Sequence, residues 1–218
     1  MIRNLYSFLN ENFEGLILEP PLFYNWNNSI RFEISNPVIP TWARENLKQT
    51  FHRSISLFKK VFEQKDEILL VTDVLTTRNN QFLQMKPLNV YKKYLKDKDL
   101  LYKLQHQPLV RFLEDEADQM VVHRFVLQCK KDNIRYAPLL KAICYEDFAH
   151  PSTILRNNQE SGYEIYFVNL TKKIIFHLYD DRGCDILAVD EEEIRYLYEE
   201  FNDWILEYDR NRIDNLFN

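Results

Sequence analysis

The stretch that most constrains the fold is YEIYFVNLTKKIIFHLYDDRGCDILAVDEEEIRYLYEEFNDWILEYD, residues 163–209. Its runs 163–168, 174–179 and 185–189 are rich in β-branched and aromatic residues, which suit a pleated, half-buried surface. Between the second and third lies Asp181-Arg182-Gly183, and Gly183 is one of only three glycines in the chain. A three-residue loop with glycine last is expected here, because glycine takes φ > 0 without steric cost. That loop pairs Leu178 with Ile186 and Phe176 with Ala188 on one face, as register specificity demands. A two- or four-residue loop around Leu170-Thr171 likewise sets Phe167 opposite Ile174 and Ile165 opposite Phe176.

Alternation then sorts the side chains. One face holds Tyr163, Ile165, Phe167, Ile174, Phe176, Leu178, Cys184, Ile186 and Ala188. The other holds Glu164, Tyr166, Val168, Ile175, His177, Tyr179, Asp185, Leu187 and Val189. The second face is too apolar for water alone, so a cover over it is expected. In this register Glu164 and His177 are direct cross-strand neighbours, with Tyr179 and Asp185 one diagonal away. A carboxylate beside an imidazole can orient a general base. Glu164, His177, Tyr179 and Asp185 are therefore the candidate catalytic set of a small hydrolase or transferase. The plainer reading, an ion pair that satisfies a half-buried histidine at a sheet edge, is preferred.

After Val189 the period changes from 2 to 3.6. Asp190 with Glu193 is an Asp-x-x-Glu capping pattern, and Glu191 and Glu192 suit a helix start. Ile194, Leu197, Tyr198, Phe201, Trp204, Ile205 and Tyr208 trace one stripe, predicting an amphipathic helix over about 191–208. Asp209 is placed to cap a last short turn ending near Leu216 and Phe217.

Upstream, Ile2, Leu5, Tyr6, Leu9 and Phe13 predict an opening helix ended by Gly15. Residues 29–34 alternate as a strand, with Ile30, Phe32 and Ile34 inward and Arg31 and Glu33 outward. Pro37 and Pro40 punctuate, and Thr41 is the expected cap of a long helix carrying Leu47, Phe51, Ile55, Phe58 and Phe62. The run ILLVTDVL, 68–75, suits a central strand covered on both faces, entered by a crossover from the strand before it. From 76 to 118 the pattern weakens. NVYKKYL, DLLYKLQ and PLVRFLE read as short helices of an inserted or mobile subregion, between lysines at 86–103 and the acids Glu114, Asp115, Glu116 and Asp118. Residues 119–130 resume as a strand. Pro138 fits the first turn of a following helix with Leu139, Leu140, Ile143, Cys144 and Phe148, and residues 150–162 form a polar loop. The expected architecture is a single α+β domain over 1–218, with a mixed sheet, a C-terminal antiparallel meander, and amphipathic helices packed on it.

Several function classes are excluded by residue supply. With three glycines and no G-x-G-x-x-G, P-loop or G-x-S-x-G, mononucleotide, dinucleotide and α/β-hydrolase chemistry are not expected. The net charge of -5 gives no global pull on nucleic acid. Three widely spaced cysteines without Cys-x-x-Cys fit a reducing cytoplasm and argue against a zinc site. No run reaches the ~20 apolar residues of a membrane span. Asp180, Asp181 and Asp185 around one turn invite a Ca²⁺ or Mg²⁺ reading, yet their spacing matches no EF-hand and Asp is common in turns, so no metal and no cofactor are expected. Arg182 is expected on a neighbouring carboxylate. Cys184 and His177 fall on opposite faces, and Cys129 and Cys144 read as small core hydrophobes.

IIFHLYDDRGCDILA followed by LYEEFNDWILEYDR resembles an uncharacterised bacterial family, domain of unknown function 3885. FYNWNNSIRFEI, DEILLV and LLKAICYEDF extend the likeness over most of the chain, with 163–217 as its family-like core. The resemblance implies a fold unit and a bacterial source, and carries no mechanism and no site residues. From 180 to 209 twelve acids face only Arg182 and Arg195, and such a surface can steer a basic partner. The leading expectation is a cytoplasmic, non-enzymatic interaction protein, such as an immunity or accessory protein for a toxin, with Glu199, Glu200 and Asp203 meeting a basic protein. No nucleic acid or membrane is expected as a partner, and the sequence assigns no oligomeric state.

Overall fold

The alternating runs become the strands of one sheet in the computed structural model, which describes residues 2–77, 88–111, 120–148 and 162–218. The strands are β1 (Ser29–Glu33), β2 (Glu67–Thr77), β3 (Gln105–Arg111), β4 (Met120–Lys130), β5 (Gly162–Asn169), β6 (Ile174–Leu178) and β7 (Gly183–Ala188). Their spatial order is β1-β7-β6-β5-β2-β4-β3. Every strand pairing among the described residues is antiparallel, which corrects the expectation of a mixed sheet. The α+β class and the C-terminal meander β5-β6-β7 stand. β2 is central, paired with β4 on one side and β5 on the other, as its continuous apolar run requires.

Helices α1 (Ile2–Asn12), α2 (Leu22–Asn25), α3 (Arg44–Val61), α4 (Asn89–Tyr94), α5 (Tyr136–Cys144), α6 (Arg195–Glu200) and α7 (Arg210–Phe217) complete the order. α3 carries the chain from β1 to β2. Those strands run the same way, because four antiparallel pairings separate them. α1 ends as foreseen at Gly15, whose φ of 77° is the left-handed conformation glycine tolerates best. α3 begins at Arg44 behind Ala43, so Thr41 is not its cap.

The two faces of the meander are those expected from alternation. Tyr163, Ile165, Phe167, Ile174, Phe176, Leu178, Cys184, Ile186 and Ala188 join one core with Leu57, Phe58, Val61 and Phe62 of α3 and Leu139, Leu140 and Ile143 of α5. Tyr166, Val168, Ile175 and Leu187 join a second core with Leu5, Leu9, Phe13, Leu18 and Leu22, so residues 2–25 are the cover the second face needed.

Register differs by two residues in both hairpins. Leu178 pairs with Cys184 and Phe176 with Ile186, and the Tyr179 amide donates to the Gly183 carbonyl at 3.4 Å, so the loop has the expected three residues but is 180–182, one position earlier than 181–183. Phe167 pairs with Phe176, and Asn169 with Ile174. A slip of two keeps every side chain on its face. Gly183 does not take positive φ. It is glycine because Tyr179 lies across it: a Cβ there would stand 1.9 Å from the Tyr179 hydroxyl and 2.9 Å from the Phe32 carbonyl.

The predicted helix over 191–208 is broken. Asp190 does cap, accepting the Glu192 amide at 3.0 Å. After α6, however, Ile205 bridges Phe32 and the Leu206 amide donates to the Arg31 carbonyl at 3.0 Å. The open edge of β1 thus draws 205–206 into extended backbone, which covers that edge and ends the helix. Ile194, Leu197, Phe201 and Ile205 are buried, Trp204 is half-buried, and Tyr208 is exposed. Asp209 precedes α7 without capping it by its side chain.

Within 76–118, NVYKKYL contributes α4, and DLLYKLQ a short 3-10 turn Asp99–Lys103. Residues 108–111 of PLVRFLE are strand, not helix: Pro108 sits in edge strand β3, where its missing N–H disrupts no central ladder. Glu114, Asp115, Glu116, Asp118 and most of the polar loop 150–162 lie outside the described residues.

Candidate functional site

Three places in the fold bring chemistry-bearing side chains together. The first is a polar band across the covered face of the sheet. Register sets Arg31 opposite Asp185, Asp185 opposite His177, and His177 opposite Tyr166. Two residues along, Glu164 stands opposite Asp73, and Asp73 opposite Arg124. Arg31 Nε and Nη2 donate to the two Asp185 oxygens at 2.7 and 2.9 Å. Arg124 makes the same fork on Asp73 at 2.8 and 2.6 Å. His177 Nε2 lies 2.7 Å from Glu164 Oε2.

The cover is fastened to this band through its backbone. The Phe23 amide donates to Asp185 at 3.1 Å, and Arg124 donates to the Leu18 carbonyl at 3.1 Å. The rings of Phe23 and Tyr24 lie 5.1 and 4.8 Å from the Arg31 guanidinium, a cation–π arrangement that suits a desolvated cation. Burial opposes the charge of Arg31, but the hydrogen bonds and charge of Asp185 outweigh it, so its pKa stands above the ordinary value. Asp209 adds its carboxylate 3.8 Å from Arg31 and accepts the Tyr24 hydroxyl at 2.9 Å.

The candidate set of the sequence reading therefore assembles, by a different register. Glu164 is a diagonal neighbour of His177 rather than a direct one, and Asp185 is the direct one. His177 is 0% exposed, its ring stacked on Tyr166 at 4.5 Å. Asp185 is equally buried and has its two oxygens on Arg31. Glu164 lines a cavity of about 190 Å³, whose other walls are Glu19, Pro20, Asp73, Leu75, Val122 and Tyr166. The group that would serve as a base is thus behind the sheet surface, out of reach of a ligand there.

The second place is the acidic segment. Glu199, Glu200 and Asp203 are all exposed. Tertiary structure supplies cations that the local sequence lacks: Lys60 of α3 meets Glu200 at 2.6 Å, and Arg53 of α3 feels the charge of Asp203. Glu199 acts on Arg195. The face is acidic but partly neutralised.

The third place was read in the sequence only as punctuation. Residues 35–43 form a loop before α3 whose tip shows Val38 at 90% and Trp42 at 73% exposure. Buried Asn46 holds the loop from below. Its Oδ1 accepts the Asn36 amide at 2.8 Å, and its Nδ2 donates to the carbonyls of Asn36 and Ile39 at 3.1 and 3.0 Å. Asn36 Oδ1 in turn accepts the Val38 amide at 3.0 Å. With Pro37 and Pro40 stiffening the backbone, two large apolar groups stand in water on a pre-ordered loop. The legible signal was an apolar Pro-Val-Ile-Pro-Thr-Trp run where a polar turn would do.

The family model described as "Domain of unknown function (DUF3885)" matches residues 5–209. "Uncharacterized protein YnaE" of Bacillus subtilis (strain 168) is 34% identical over 212 residues, covering 94% of this chain and 98% of that protein. No solved structure matches.

Proposed function

The chain belongs to the DUF3885 family, and from that premise we propose that it is a non-enzymatic protein-binding protein. Its contact centre is the Val38–Trp42 loop, and its partner is a protein with an apolar recess rimmed by basic side chains. The observation that carries this reading is the Asn46-anchored exposure of Val38 and Trp42. A stiff loop loses little freedom on docking, so its buried area is not offset by ordering. Tryptophan seated in a desolvated pocket is the commonest kind of dominant contact.

Basic chemistry for the rim follows from the net charge of -5 and from exposed Glu199, Glu200 and Asp203. At 1.5 Å per residue, Arg53 and Lys60, which stand beside those acids, are roughly 14 and 24 Å along α3 from Arg44. The acids would therefore steer the encounter, while the loop anchors it. The narrower form of the proposal is an immunity or accessory protein that occupies a basic toxin. No helix among the described residues is long and apolar enough to cross a membrane.

The test is capture of a partner from native cells, then titration of the purified partner against the full chain and two variants. Val38→Ser/Trp42→Ala is expected to weaken binding at least ~30-fold, since a dominant contact is worth 2 kcal/mol or more, with an unchanged melting temperature. Reversal of Glu199, Glu200 and Asp203 to lysine is expected to slow association and flatten its salt dependence. Equal affinity for wild type and the loop variant would overturn the assignment of the contact centre. Unaltered salt dependence after charge reversal would remove the acids from it.

A further inference from the structure

The turn 180–182 and the turn that follows α5 bring together carboxylates from remote parts of the chain. One oxygen from each of Asp147, Asp180 and Asp181 lies within 4.8 Å of the others. Two ligand oxygens held at about 2.4 Å by one calcium ion can be at most about 4.8 Å apart, so no pair among the three is too widely spaced to share an ion. A cluster of acids alone would mean little. Here Asp181 is 3% exposed, and its Oδ2 is buried without a hydrogen-bond partner among the described residues. A desolvated carboxylate oxygen with no donor is costly to keep. The Asp181 carboxylate also has those of Asp147 and Asp180 beside it, which aggravate the cost.

We propose that Asp147, Asp180 and Asp181 form a site for one hard divalent cation of the Ca²⁺, Mn²⁺ or Mg²⁺ class. Oxygen-only donors select that class over softer metals. Asp181 is the buried ligand, Asp147 the exposed one, and water completes the coordination on the Asp147 side. Asp180 is held at Oδ1 by the Arg182 amide and at Oδ2 by the Arg182 guanidinium. The Arg182 side chain is 68% exposed and can swing into solvent when Asp180 turns to an ion. Three carboxylates and one guanidinium leave these four side chains with a net charge of -2, which a divalent ion cancels. The Asp180-Asp181 pair singled out in the sequence thus belongs to a cluster, but its third member is Asp147; Asp185 is on the opposite face with Arg31.

The site is independent of the protein-binding loop and is tested on the full chain stripped with a chelator. Calorimetric titration with CaCl₂, MnCl₂ and MgCl₂ should give one saturable site, with a Kd of about 10⁻⁴–10⁻³ M for the best ion. The same ion should raise the melting temperature in a concentration-dependent way. Asp147→Asn, in an exposed turn, should stay folded and bind at least tenfold more weakly. Asp181→Asn should abolish binding while keeping or raising the metal-free melting temperature, because it removes an unpartnered charge. Glu192→Gln, an exposed acid elsewhere, should bind as wild type. No saturable heat with any of the three ions up to about 10 mM, ten times the weak end of that range, would overturn the proposal. So would binding by Asp147→Asn and Asp181→Asn equal to wild type, which would place the ion elsewhere.

Discussion

The two faces of this sheet are buried by different means. The face under α3 and α5 is closed mainly by apolar contact: Phe58 packs on Phe62, Tyr136, Phe167 and Phe176 with ring centroids 4.5 to 5.3 Å apart. The face under α1 and residues 13–28 is closed partly by apolar contact and partly by charge. Two Arg–Asp forks and the His177–Glu164 pair lie in the same layer as Leu69, Val71, Tyr166 and Ile175. Apolar burial is non-directional and fills whatever space is offered. Buried ion pairs add little net stability but penalise every arrangement except the one that satisfies them. The irregular cover, largely without regular structure from 13 to 28, is the part that needs such a specification. The long helices of the other face are specified by their own stripes.

The comparison breaks most strongly on the apolar face. Phe58→Ala should cost about 4 kcal/mol, because a fully buried ring leaves a cavity that its aromatic neighbours cannot fill. Denaturant unfolding would measure it, and a loss below ~1.5 kcal/mol would mean that this core relaxes far more freely than its packing implies.

On the polar face the sign depends on how many partners are removed. Arg124→Met alone should cost about 3 kcal/mol by stranding Asp73, whereas Arg124→Met with Asp73→Leu should return to within about 1 kcal/mol of wild type. If the double variant unfolds as easily as the single, the fork itself is a net source of stability. If it matches wild type but its cover exchanges amide hydrogens faster, the fork acts on specificity.

The smallest effect is expected at the β3–β4 edge of the apolar face. His106 Nε2 and His123 Nδ1 are 3.0 Å apart, and the His106 ring stacks on Phe125 at 4.6 Å. Burial holds both imidazoles below the ordinary 6.5, and each charge would repel the other, as the lowering of His123 by His106 reflects. With the folded value below the unfolded one, the unfolded chain takes up protons first. This contribution is therefore complete above about pH 6.5 and is lost as pH falls through that value. Amide protection in β3 should drop modestly between pH 7 and 5.5 and hold steady in β6 and β7. Equal pH sensitivity in both places would detach the effect from the histidine pair.

Much of this was legible. Alternation in 163–189 assigned eighteen side chains to two faces, and the structure places them on those faces, including the need for a cover over the second. Glu164 and His177 were paired from sequence and do meet. What was not legible is the register through which they meet. A three-residue loop at 181–183 and one at 180–182 give the same faces with partners two residues apart. The glycine that seemed to decide between them answers to the ring of Tyr179 instead. The Val38–Trp42 loop was passed over because neither exposure nor the reach of Asn46 is a property of the loop itself.

What the sequence determines alone is what repeats within a few residues. Period-two alternation sorts faces, period 3.6 marks helical stripes, and the Asp190 cap starts the helical turn that leads into α6. These follow from backbone geometry, which each short stretch carries with it. What the tertiary structure decides is what depends on distant chain arriving. The edge of β1 extends 205–206 and breaks the expected helix. Lys60 and Arg53 quiet an acidic face that looked unopposed. Asp147 completes a cluster begun at Asp180 and Asp181. A slip of two residues, a captured strand edge and a borrowed charge each leave the local pattern unchanged, so only the closing of the whole chain selects among them.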